Sequence, residues 1–93
     1  MKILNLPIKI LPDVLSQEVS GETVLLDLNS ENYFGLNEVG TRIWQLLQEE
    51  GDLQKVYDIM LDEYDVDEKQ LGKDMEELVA RLVDAGLIEV GED

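Results

Sequence analysis

The sequence predicts a single α+β domain in which a three-stranded antiparallel sheet precedes three helices. Two patterns predict it. Up to residue 36, short apolar segments are punctuated by Gly, Pro and polar turn clusters, as in a meander of strands. From Asn37 onward, apolar residues recur every three or four positions, as in helices packed by one face. The stretch Tyr33–Leu47 joins the two regimes. A length of 93 residues suits one domain, read as an extended arm (1–13), a β-meander (14–36) and a three-helix part (37–90).

Residues 1–12 are apolar but interrupted by Pro7 and Pro12, each of which removes a donor and holds its predecessor extended. They read as an arm, with a short edge strand at Ile8–Leu11, lying on its own domain or on a neighbouring copy. Val14–Ser20 and Thr23–Leu28 flank Gly21-Glu22, a two-residue hairpin turn with Gly first. In the second of these strands Val24, Leu26 and Leu28 share one face, and Thr23, Leu25 and Asp27 the other. Asn29-Ser30-Glu31-Asn32 is a polar turn that returns the chain as Tyr33–Leu36, where Phe34 and Leu36 share a face and Tyr33 and Gly35 point away.

Asn37 is placed to cap the first helix, about Glu38–Gln48, with Val39, Ile43, Leu46 and Leu47 as its stripe and Gly51 as its stop. Gly40 inside it costs about 1 kcal/mol relative to Ala, which a close backbone approach would explain. Asp52 caps a second helix, about Leu53–Tyr64. Asp67 caps a third, about Glu68–Ala85, ended by Gly86. The third carries Leu71, Met75, Leu78, Val79, Leu82 and Val83 over roughly 140°, wider than a minimal core stripe. One shoulder is therefore free for a ligand, and the periodicity does not say which. Leu87–Val90 is an apolar tail that tucks back.

Charge excludes several functions. The chain has 22 acidic and 7 basic residues, a net −15, with the acids concentrated after residue 48. A nucleic-acid ligand needs clustered Lys and Arg, and an anionic membrane surface the same. A winged-helix DNA binder is disfavoured on that ground. With no Cys there is no disulfide framework. No signal peptide or span of about 20 apolar residues is present, which makes cytoplasmic the expected location.

Catalytic chemistry is hard to assemble from these residues. His and Cys are absent, and with them the usual zinc ligands, thiol nucleophiles and imidazole bases. Asp65-Val66-Asp67-Glu68-Lys69-Gln70 begins like a calcium loop, then puts Lys69 at a ligand position and Gln70 where the turn glycine belongs. No phosphate-cradling Gly-rich loop or nucleophile elbow occurs. No serine sits in the Asp-Ser-Leu setting of phosphopantetheine carriers. The expectation is a chain that is not an enzyme and carries no cofactor or metal.

Two segments carry a resemblance: Gly21-Glu22-Thr23-Val24-Leu25-Leu26-Asp27-Leu28, and Tyr33-Phe34-Gly35-Leu36-Asn37-Glu38-Val39-Gly40-Thr41-Arg42-Ile43-Trp44. With Leu61–Tyr64, the Asp67 cap and Leu82-Val83-Asp84-Ala85-Gly86-Leu87-Ile88, they resemble the PqqD-like proteins, peptide chaperones also called RiPP precursor peptide recognition elements. Leu-Asn-x-x-Gly-x-x-Ile-Trp is the most specific part. The resemblance implies a winged-helix-like fold without a DNA role. It also implies binding of the leader of a ribosomally made precursor peptide, which is presented to a modifying enzyme of the lasso-peptide, PQQ or radical-SAM type. The leader would add as a strand to the third strand of the meander, beside the third helix.

Mapped here, the edge is Tyr33, Phe34, Gly35 and Leu36. The helix wall draws on Met75, Leu78, Val79 and Leu82, with Asp74 and Arg81 at the rim. An edge strand offers unpaired N–H and C=O groups, so the physical reading accommodates such β-augmentation. On sequence grounds alone Phe34, Leu36, Met75 and Leu78 read as core rather than ligand-facing. Tyr33 either packs on a leader side chain or covers the sheet edge. The expected partners are a precursor leader and a peptide-modifying enzyme, such as a leader peptidase or radical-SAM enzyme, with a monomer or an arm-exchanged homodimer as the assembly. The competing reading is an acidic regulatory module that occupies a basic protein surface or mimics DNA.

Overall fold

The computed structural model describes residues 7–91. Its elements are β1 (Ile8–Ile10), β2 (Val14–Val19), β3 (Glu22–Asp27), β4 (Tyr33–Leu36), α1 (Glu38–Glu50), α2 (Leu53–Glu63), α3 (Glu68–Asp84) and β5 (Ile88–Val90). The expected meander is present as an antiparallel sheet in the order β2-β3-β4. The order is not simply three strands and then three helices, because β1 and β5 form a second, two-stranded sheet.

That second sheet gives the described part of the arm its place. Ile8 pairs with Val90 and Ile10 with Ile88. The Ile8 N–H donates to the Gly51 carbonyl at 3.3 Å, and the Leu11 N–H to the Leu87 carbonyl at 3.2 Å. From Pro7 on, the arm therefore lies on its own domain, with Ile8, Leu87 and Ile88 in the core. Residues 1–6 of the arm lie outside the described residues.

The β2–β3 turn is also one residue earlier than expected. Val19 pairs with Glu22, leaving Ser20-Gly21 as the loop. Both have positive φ, 54° and 83°, the mirror-image turn whose twist matches that of the strands. The sequence predicts Ser20 as the last residue of the strand; the observed register places it in the loop.

All three helices are capped as the sequence predicts. Asn37, Asp52 and Asp67 each accept from a backbone N–H of the first turn. The core gathers one face of each element: Leu25 and Leu36 from the sheet, then Ile43, Trp44, Leu46 and Leu47 from α1. Leu53, Val56 and Met60 of α2 join them, with Leu71, Met75, Val79 and Leu82 of α3. Burying each such aliphatic side chain contributes on the order of 1.5–3 kcal/mol. No helix among the described residues is long and apolar enough to cross a membrane.

Ion pairs join α1 to α2, the closer being Arg42–Glu63 and the looser Lys55–Glu50 at 4.0 Å. Arg42 grips Glu63 with both ends of its guanidinium, the Nε–Oε2 contact being 2.9 Å. Hydrogen bonds from Arg42 hold the Glu63 carboxyl below the usual carboxylate range, against a smaller opposing effect of desolvation. A carboxyl depressed in the folded state stabilises above its unfolded value, and that contribution is lost as pH falls through the folded value. Glu63→Gln is therefore expected to be less stable than wild type at pH 7. The gap should close as pH falls below about 4. Denaturant melts from pH 7 downward check it, and a gap that does not narrow as the pH falls below that range would contradict the assignment.

Candidate functional site

β4 is an edge strand: among the described residues it pairs with β3 alone. The phase of its hydrogen bonds decides what that edge offers. The Asp27 N–H donates to the Asn32 carbonyl at 3.0 Å, so Asp27 and Asn32 are a hydrogen-bonded pair. Antiparallel ladders alternate. Leu25–Phe34 and Thr23–Leu36 are then also bonded pairs, while Leu26–Tyr33 and Val24–Gly35 are not. The backbone groups of Phe34 and Leu36 are thus spent on β3. Those of Tyr33 and Gly35 point outward from the sheet.

Side chains divide the other way. Phe34 and Leu36 face the core side, Leu36 being only 5% exposed, whereas Tyr33 is 74% exposed on the opposite face. Gly35 has open space where a Cβ would stand.

Beside this edge lies a groove of about 340 Å3. One wall is Gly35 and Leu36; the floor and near end come from Asn37, Val39, Gly40 and Ile43 at the start of α1; the far wall is Asp74 and Leu78 of α3. A Cβ at Gly40 would come within 3.3 Å of both Asn37 Oδ1 and Leu36 Cδ2, so a larger residue fits only if those side chains give way. The close approach at this glycine is made by the Asn37 and Leu36 side chains, not by the backbone approach that the sequence suggests.

On α3, Arg81 sets its guanidinium 5.1 Å from the centre of the Phe34 ring, a cation–π contact. Asp74, Leu78 and Arg81 are spaced i, i+4, i+7 and so form one stripe along the groove. With Arg81 at Phe34 and Asp74 near Leu36, α3 runs opposite to β4. The Asp74 carboxylate thus lines the groove, and the Arg81 guanidinium lies outside that lining, over Phe34. Gln70 Nε2 donates to Asp74 Oδ1 at 2.8 Å and steadies that carboxylate.

Of the sequence-predicted residues, Tyr33, Phe34, Gly35, Leu36, Asp74, Leu78 and Arg81 are brought together around edge and groove. Met75, Val79 and Leu82 are not. They form the adjacent stripe of α3, at 0%, 2% and 0% exposure, and leave no surface for a ligand. This corrects the mapping of the helix wall: those three hold α3 in place, and the groove uses the neighbouring shoulder. Asn37, Val39, Gly40 and Ile43 are lining residues that sequence reasoning assigned only to capping and packing. Val39, which the periodicity places in the apolar stripe of α1, is instead exposed at the first turn.

Residues 22–88 match the family model of coenzyme PQQ synthesis protein D, PqqD. The chain belongs to the PqqD family. Two solved structures share the fold of this PqqD-family chain. One, described as TbiB1 in complex with the TbiA(beta) leader peptide, is 36% identical; the match covers 91% of this chain and 99% of that one, with a TM-score of 0.84. The other, lasso peptide synthetase B1 complexed with the leader peptide, is 25% identical over 89% of this chain and 98% of that one, with a TM-score of 0.79. No curated protein sequence matches the chain significantly.

Proposed function

We propose that this protein is a non-catalytic leader-peptide binding protein of ribosomal peptide maturation, acting in the cytoplasm and presenting the leader to a modifying enzyme. The observation that carries the reading is the outward backbone of Tyr33 and Gly35 on a free edge, with the Leu78 groove alongside. An extended leader bonds through its backbone to Tyr33 and Gly35. Its alternate side chains then fall in turn into the groove and onto the Tyr33 face. Asp74 favours a basic leader residue at the Leu36 end, and Arg81 an acidic one at the Phe34 end. Both solved relatives are complexes with leader peptides, which supports leader binding by this chain.

Titration calorimetry with the leader of the precursor encoded beside this gene is expected to give a 1:1 complex, largely retained as salt is raised, because backbone bonds and apolar contacts are weakly screened. Absence of binding refutes the proposal. Binding that collapses with salt supports the acidic-module reading instead.

A further inference from the structure

Among the described residues the opposite face of the β2-β3-β4 sheet has no helix over it, yet it is apolar. Of the eight large hydrophobic residues that stand exposed among the described residues, five lie there: Leu15, Val19, Val24, Leu28 and Tyr33. The ladder registers align Leu15 with Leu26 and Tyr33, and bring Gln17, Val24 and Gly35 into the next row. These residues form one continuous patch instead of scattered exposures, and such patches mark interaction surfaces.

The rim has one sign. No Lys or Arg occurs between Lys9 and Arg42. Glu22 flanks Val19 across the β2–β3 turn, and Glu31 borders the hollow formed by Leu26, Leu28 and Tyr33. A second copy would set this acidic rim against its own likeness on a chain of net charge −15, which charge complementarity disfavours.

We propose that the outer face of this sheet docks the maturation enzyme itself, through an apolar patch on that enzyme ringed by Lys and Arg. The inference rests on the leader-binding reading and extends it. A leader added to β4 places every second side chain on this same face, next to Tyr33, and so widens the surface that the enzyme meets. Enzyme and leader then bind cooperatively, meeting at Tyr33 and occupying otherwise different residues of this chain.

The experiment reconstitutes leader processing from purified chain, precursor and the modifying enzyme encoded with them. The first variant is the double substitution Leu15→Thr and Val19→Thr, two strands away from β4 at positions 55% and 56% exposed; the second is Glu22→Lys. Thr keeps the strand propensity. Both variants are expected to bind the leader within about twofold of wild type and to slow processing at limiting chain by about tenfold or more. Enzyme immobilised on a sensor should also retain the chain–leader complex more tightly than the chain alone.

Unchanged processing by variants that still bind leader overturns this inference and leaves the leader reading intact. Wild-type chain that binds no leader refutes that reading and this one with it. A dimer in sedimentation that the double variant dissociates overturns the proposal in favour of a second copy.

Discussion

Gly35→Pro is expected to weaken leader binding by about tenfold to a hundredfold while leaving the fold intact. The size follows from what proline removes. The Gly35 N–H points away from β3, so its loss breaks no bond within the domain. Once a leader strand is seated, the same loss leaves a peptide carbonyl without a donor in a partly closed site, at about 1–3 kcal/mol. The ring also stands where the incoming backbone must approach. Phe34, the preceding residue, is already extended, so proline's restriction of its neighbour adds little strain. Gly35→Ala is the control. It keeps the donor, and its Cβ enters open space, so affinity should stay within about threefold. Calorimetry gives the affinities, and thermal melts confirm that both variants fold. If Gly35→Pro binds like Gly35→Ala, the leader does not pair with β4.

What the sequence could and could not reveal follows from the range of the interactions involved. Caps are local: Asn37, Asp52 and Asp67 each bond within three residues of themselves, and all three were legible. The division of β4 into an inner pair and an outer pair was legible too, because strand periodicity is fixed. The β1–β5 ribbon joins residues about eighty positions apart, and nothing local in Ile8–Ile10 announces that partner. The hydrogen-bond phase of β4 was equally hidden. It depends on which residues of β3 and β4 are bonded pairs, and one step of register would have turned Phe34 and Leu36 outward. The apolar outer face was written in the alternation of Leu15, Val19, Val24 and Leu28, but alternation cannot say that no helix covers it.

The breadth of the α3 stripe was visible in the sequence, and its division into two jobs was not. The sharpest test of that division is a pair of alanine substitutions on neighbouring stripes. Leu82 is fully buried among core residues, so Leu82→Ala should cost about 2–5 kcal/mol of stability. Leu78 is half-buried and lines the groove. Leu78→Ala should cost only about 1 kcal/mol in stability, yet lower leader affinity by about tenfold if the side chain is a wall of the site. Denaturant unfolding measures the first quantity, and calorimetry on the folded protein at low temperature the second. Leu82→Ala, where it remains folded, should bind within about threefold of wild type, because its side chain supports α3 from behind. Reversal of the two phenotypes would mean that the leader reaches the Met75–Val79–Leu82 stripe, which requires α3 to swing away from the core on binding. Equal loss of affinity in both variants would mean that the groove is shaped by α3 as a whole and not by one shoulder of it. The 0% exposure of Met75 and Leu82 favours neither outcome: a helix anchored at those points is a rigid wall, and the groove's specificity then resides in Asp74, Leu78 and Arg81.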